Sequence, residues 1–228
     1  MERTPPAMLF DLDGTLVDSV YQHVGAWHEA LQSAGLGLSV WRIHRKIGMS
    51  GGLFVRGLMR ELGRSVDEET ARDLERRHAA AYAKRFHEVV PLPGSHDLLA
   101  ALTALGAPWA IATSGGRDVA ERTIALLDVP AHVPIVTRDE VAHAKPDPDL
   151  FVRAAEKLGV SVSASVVIGD SVWDLLAARR AGALGVGLLS GGYGADELQN
   201  AGAYRVYADP ADLLAHLDEV GIRDAESG

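Results

Sequence analysis

Apolar residues follow two different rhythms along this chain. Met8-Leu9-Phe10 is a short unbroken apolar run that stops at Asp11-Leu12-Asp13-Gly14-Thr15, the pattern of a buried strand entering a loop. Asp18 or Ser19 suits the N-cap of a helix running through Gln22, Trp27 and Leu31 to near Gly35. From there to about residue 90 the pattern stays helical, with i, i+3, i+4 apolar spacing around Leu53–Leu62 and Glu68–Phe86 and no β-branched run between them. After Pro91-Leu92-Pro93-Gly94 the rhythm changes. Short apolar runs at Trp109–Ala112, Val133–Val136, Val166–Ile168 and Val186–Leu189, with a weaker one at Tyr204–Val206, alternate with helical patterns at Arg117–Leu127, Pro148–Leu158 and Val172–Ala181.

Strand–helix alternation of this kind predicts an α/β fold with a parallel sheet covered by helices on both faces. The first strand belongs to the same sheet, which makes residues 20–89 an all-helical insert between its first and second strands. The expected organisation is therefore a doubly wound, Rossmann-like core from residues 1–19 and 90–228 and a helical domain from residues 20–89. No internal repeat or low-complexity segment interrupts this reading.

The 228 residues are 47% hydrophobic, enough to bury a sizeable core. Lys and Arg number 22 against 31 Asp and Glu, a net charge of −9, which argues against nucleic acid as a partner while leaving room for a small anionic substrate. Without cysteine there is no disulfide, zinc thiolate or cysteine nucleophile. Met1–Ala7 lacks the apolar core of a secretion signal, and no run of ~18 apolar residues offers a membrane span. A cytoplasmic setting with no membrane partner is expected; oligomeric state is not legible.

Ligands of open parallel sheets bind beyond the carboxyl ends of the strands, so the polar residues that follow each apolar run carry the chemistry. Asp11 and Asp13 close the first run. Paired carboxylates repel unless a cation intervenes, which a divalent metal would supply, although a bare Asp-x-Asp also reads as loop acids capping a turn. Asp170 and Asp174, in Gly169-Asp170-Ser171-Val172-Trp173-Asp174, lie one helical turn apart; they are hard oxygen ligands suited to Mg²⁺, or a helix cap with a first-turn acid. Thr113-Ser114 before Gly115-Gly116 is a phosphate cradle or an ordinary cap. Lys145, in Ala144-Lys145-Pro146-Asp147-Pro148, is a point charge on a stiff loop that could clamp a phosphate oxygen, or a solvated lysine.

Taken together and in this order, Asp11-Leu12-Asp13-Gly14-Thr15, Thr113, the Lys145-Pro146 pair and Gly169-Asp170-x-x-x-Asp174 resemble the four motifs of the haloacid dehalogenase-like hydrolase superfamily, with the phosphoglycolate phosphatase and β-phosphoglucomutase group the nearest in pattern. The resemblance implies that residues 20–89 are a helical cap. It implies an Asp11 nucleophile, Asp13 as general acid and base, and phosphoryl oxygens held by Thr113, Ser114 and Lys145. It further implies Mg²⁺ held by Asp11, the Asp13 backbone carbonyl and Asp170, with Asp174 ligating through water or orienting Lys145. Asp13 points to phosphate esters or anhydrides, because the dehalogenases and phosphonatases of the superfamily lack an acid there.

In the insert, Arg45 and Lys46 precede the glycine-rich Gly48-Met49-Ser50-Gly51-Gly52 and are candidates to meet an anionic substrate, or are solvated charges. His23 and Trp27 lie one turn apart, either as a packing face or as a histidine that reaches Asp13. Their His-x-x-x-Trp spacing resembles the β-phosphoglucomutases, whereas Gly51, where those carry an arginine, and Gly169, where they tend to carry an acid, do not. Gly191-Gly192-Tyr193-Gly194 resembles a loop common in phosphoglycolate phosphatase-like sequences and reads equally as a flexible connection. The expected function is a Mg²⁺-dependent phosphatase of a small phosphorylated metabolite. The alternatives are a mutase of the same group and, further away, a non-enzymatic phospho-receiver.

Overall fold

The computed structural model describes residues 5–49 and 51–223. They form two compact units, one from the segment up to Asp18 together with Pro91 onward, the other Ser19–Val90.

The first unit is built on a six-stranded, wholly parallel sheet. Its strands are β1 (Ala7–Phe10), β2 (Trp109–Ala112), β3 (Ile135–Val136), β4 (Ser165–Gly169), β5 (Leu184–Leu188) and β6 (Ala203–Tyr207), in the order β3-β2-β1-β4-β5-β6. β1, β2 and β4 are buried along their whole length, as expected of central parallel strands covered on both faces, and this is why they read as unbroken apolar runs. Edge strand β6 exposes Tyr204 and Arg205, which weakens its pattern. β3 begins two residues later than the apolar run because Pro134 has no N–H for the ladder; its carbonyl still accepts from Ile111 N at 3.1 Å.

Side-chain alternation sends Leu9, Ala110, Ala112 and Val167 into one layer with Phe151 and Ala154 of an α-helix at Asp149–Leu158 and with Ala177 and Ala178 of another at Val172–Ala181. Phe10 instead meets Trp109 edge to face, and Trp109 donates through Nε1 to Thr103 in the helix Ser95–Ala104. A shorter helix covers Arg117–Ile124. It stops before Leu127 because its last bonds tighten to i→i+3 at Leu126 and Leu127, after which Asp128 turns left-handed and Pro130 follows.

The second unit is helical: Val20–Ser33, Val40–His44, Gly51–Glu61 and Glu68–Arg85 surround a core that includes Val24, Trp27, Leu31, Ile43, Phe54, Leu58 and Leu74. Ser19 occupies the N-cap position of the first of these helices, but its side chain makes no capping bond, so the side-chain cap expected there from Asp18-Ser19 does not form. Asp67 does cap the fourth, accepting from Thr70 N at 2.8 Å. No helix among the described residues is long and apolar enough to cross a membrane.

Candidate active site

In this strand order the chain leaves β1 to build β2 and β3 on one side, then crosses to β4 on the other. The crevice of an open α/β sheet lies at such a reversal, past the carboxyl ends of the two central strands. Asp11 follows β1 directly and Asp170 follows β4 directly, and Asp11 N continues the ladder to Ile168 O at 2.9 Å. Adjacent parallel strands therefore deliver two carboxylates side by side.

Two more charges join them. Lys145 is fully buried; its Nζ donates to Asp11 Oδ1, lies 2.8 Å from Asp174 Oδ1, and sits 5.0 Å from the Phe151 ring centre. Asp174 is equally buried, and its Oδ2 accepts from Ser171 N at 3.1 Å and Ser171 Oγ at 2.5 Å, a capping arrangement that fixes the carboxylate at the start of its helix. Asp174 Oδ1 faces the ammonium of Lys145, which balances it as an ion pair. Thr15 Oγ1 donates to Asp170 Oδ1 at 3.0 Å. Gly169 is glycine for space: a Cβ there would strike Cβ and the carboxylate of Asp174.

Burial raises the Asp11 pKa to about 7; Lys145 pulls it down, and the negative neighbours Asp174 and Asp13 push it up. Burial also lifts Asp170 well above its ordinary range, reinforced by Asp174 and Asp11. On Lys145 burial opposes the charge, but Asp11 and Asp174 outweigh it and hold the ammonium protonated. Among the described residues three buried carboxyls share one ammonium, and their raised pKa values reflect the cost of ionising all three, which would leave two uncompensated negative charges. Ligand oxygens of Asp11, Asp170 and Asp174 lie within 4.8 Å of one another. An all-oxygen buried cluster whose carboxyls are costly to ionise without a further cation fits a hard divalent ion such as Mg²⁺.

This charge balance has a pH signature. Between the ordinary aspartate value of 3.8 and about 7, the metal-free native state keeps a proton on Asp11 that the unfolded chain has released. That contribution is fully present below 3.8 and lost as pH rises through about 7, so what this carboxyl adds to metal-free stability falls across the window. A bound cation removes the penalty on the ionised form. The rise in melting temperature on adding Mg²⁺ is expected to be larger at pH 8 than at pH 5.5; an equal or smaller rise at pH 8 would contradict this charge assignment.

Thr113 follows β2, the other neighbour of β1; it is buried, and its Oγ1 accepts from Gly115 N at 3.0 Å, leaving its own proton to donate. Ser114 is half-buried at the start of the same loop. This loop is braced from the loop after β3, where Arg138 N donates to Gly115 O at 3.0 Å and Asp139 accepts from Arg117 N at 2.8 Å. Asp13 is half-buried and forms a bridge to Val17 across a turn closed by Gly14 N to Val17 O at 2.8 Å. Its carboxylate stands outside the Asp11, Asp170 and Asp174 group.

His23, Trp27 and Lys46 have partners within the helical unit. His23 stacks on Tyr82 at 3.9 Å between ring centres and its Nδ1 lies 3.1 Å from His78 Nε2; Trp27 stacks on His78 and on Phe54. Lys46 pairs with Glu61 at 2.6 Å, and Arg45 is half-buried. Gly51 opens a helix, and Ser50 lies outside the described residues. The sequence reading gave Thr15, Ser171 and Phe151 no role at the site. Thr15 and Ser171 stand inside the quoted motifs, but spacing alone does not reveal which carboxylate each hydroxyl meets.

A family model described as haloacid dehalogenase-like hydrolase matches residues 5–182. Hexitol phosphatase A of Escherichia coli is 34% identical over 76% of this chain and 78% of its own length. A phosphoglycolate phosphatase of Caulobacter vibrioides is 34% identical over 85% of this chain and 83% of its own. Among solved structures, a hydrolase from Pseudomonas syringae superposes with a TM-score of 0.92 at 53% identity, covering 95% of this chain and 99% of that one.

Proposed function

The chain belongs to the haloacid dehalogenase-like hydrolases, and from that premise we propose that it is a Mg²⁺-dependent phosphatase hydrolysing a small phosphate monoester, of phosphoglycolate or sugar-phosphate type, through an aspartyl-phosphate on Asp11. The observation that carries this reading is the buried cluster of Asp11, Lys145, Asp170 and Asp174 at the strand reversal, whose carboxyls are costly to ionise without a further cation.

Asp11 attacks phosphorus in line while Asp13 protonates the leaving oxygen; the P–O ester bond breaks and the alcohol departs. Asp13, now a carboxylate, takes a proton from water, which attacks the acyl-phosphate, releasing phosphate and restoring Asp11. Thr113 Oγ1, the Ser114 N–H and Lys145 hold the transferring oxygens. Mg²⁺, held by Asp11, the Asp13 carbonyl and Asp170, would neutralise charge on the phosphoryl group. Asp174, tied down by Ser171 and paired with Lys145, serves by orienting that lysine. The helical unit acts as the cap that excludes water once substrate is bound.

Two observations support hydrolysis over a mutase. His23 and Trp27 are packed in an aromatic stack, which accounts for their spacing without a substrate role. An acid at position 169 would collide with Asp174.

The test is phosphate release from p-nitrophenyl phosphate and from a panel of phosphoglycolate, hexitol phosphates and sugar phosphates. The panel includes β-glucose 1-phosphate with a trace of its bisphosphate. Catalytic, Mg²⁺-dependent release that EDTA removes reversibly is expected. Full activity after thorough chelation contradicts the metal, glucose 6-phosphate forming faster than free phosphate reverses the choice against a mutase, and a single stoichiometric phosphorylation indicates a receiver.

A further inference from the structure

We propose that Gly191 is a positioning residue for the metal site: its missing side chain lets the loop after β5 lay its backbone against the Asp170 carboxylate and hold that ligand in the cluster. The inference rests on the Mg²⁺ reading given above.

Gly191 is buried, and an added Cβ would fall on the carboxylate of Asp170, meeting Oδ2, Cγ and Cβ. Its φ is not in the left-handed region, which Gly192 occupies instead at 87°, so glycine at 191 is required by space and not by conformation. The loop is pinned on both sides of this contact. Ser190 Oγ donates to Gly14 O at 2.6 Å, tying it to the turn that follows Asp11. Tyr193 is buried in a cluster with Leu198 and with Leu175, the residue after Asp174. Asp170 is therefore bounded on one oxygen by the Thr15 hydroxyl, at 3.0 Å, and on the other by the Gly191 backbone. A ligand carboxylate hemmed in this way needs no reorganisation to bind a cation. A methyl group at 191 must displace it, because the loop cannot retreat without breaking the Ser190 and Tyr193 anchors. Gly194 in the same motif is not under this constraint: its Cβ would come no nearer to the Glu197 side chain than 3.5 Å, an ordinary contact.

The experiment is Mn²⁺ binding to the purified full chain, followed by the free-ion electron paramagnetic resonance signal with Mg²⁺ as competitor. It compares the wild type with Gly191→Ala, Gly194→Ala and Ser190→Ala, with melting curves and substrate KM at saturating Mg²⁺ in parallel. Gly191→Ala is expected to weaken Mn²⁺ binding by about 10–100-fold while melting cooperatively and keeping its substrate KM. Gly194→Ala should stay within about twofold of wild type, and Ser190→Ala should fall between the two. A folded Gly191→Ala protein with wild-type Mn²⁺ affinity overturns the positioning role and leaves the phosphatase reading standing. If Gly191→Ala does not fold, wild-type affinity in Ser190→Ala overturns it. A wild-type protein that binds no Mn²⁺ or Mg²⁺ removes the metal reading and this inference with it.

Discussion

Asp11→Asn should lower phosphate release on the order of 10⁴-fold or more while leaving the protein folded. An amide has no anionic oxygen with which to attack phosphorus, and no other carboxylate in the cluster directly follows β1. Asp170 accepts from Thr15, and Asp174 is held by Ser171 and paired with Lys145, so neither is free to replace the nucleophile. The same substitution replaces a buried carboxyl that is costly to ionise with a neutral amide, and Lys145 keeps Asp174 at 2.8 Å. The metal-free variant should therefore melt no lower than the wild type. Steady-state phosphate release, with deamidated and contaminating enzyme excluded by mass and by a second purification, gives the answer. A rate near that of the wild type would remove Asp11 from the mechanism.

Lys145→Met should do the opposite to stability and nearly as much damage to rate. Among the described residues it takes the one cation paired with Asp11 and Asp174 and leaves three buried carboxyls facing one another. Losing the cationic partner of a buried ion pair costs roughly 3–5 kcal/mol, so the metal-free variant should unfold at much lower urea than the wild type. Methionine is close to lysine in length and can still lie against Phe151, so a packing defect is minimised. Loss of a donor to the transferring oxygens should lower kcat by roughly 10³-fold even at saturating Mg²⁺. Added Mg²⁺ should recover part of the stability and none of the rate. A variant as stable as wild type without metal would show that the cluster is not charge-strained; full kcat would show that Lys145 does not touch the phosphoryl group.

Most of the sheet could be read before folding was considered. Central strands of a parallel sheet are dry on both faces, so β1, β2 and β4 had to be unbroken apolar runs, and turn residues had to follow them. The Val172–Ala181 helix begins and ends where its spacing predicts, between Ser171 at its cap and Gly182 beyond its end. The errors sit where a single residue acts through the backbone. Pro134 shortens β3, and the turn at Asp128 ends the Arg117–Ile124 helix early. Ser19 stands at the N-cap position as expected, but its side chain makes no capping bond.

What the sequence determined by itself is which residue types stand at strand ends, because strand period, chain direction and turn chemistry are local properties. Tertiary structure decided the partners. Lys145 reads in sequence as a lysine in a proline loop, commonly a solvated one. Only the packing of that loop against Phe151 and β1 buries it and sets it between Asp11 and Asp174. His23 and Trp27 read as a substrate pattern or a packing face, and the approach of the Glu68–Arg85 helix supplies the rings they stack on. Gly191 reads either as part of a loop common in phosphoglycolate phosphatase-like sequences or as a flexible connection, and its need to be glycine exists only because Asp170, distant in sequence, lies where its side chain would be. Contacts between residues far apart in the chain depend on how whole elements dock, and no local period encodes that docking.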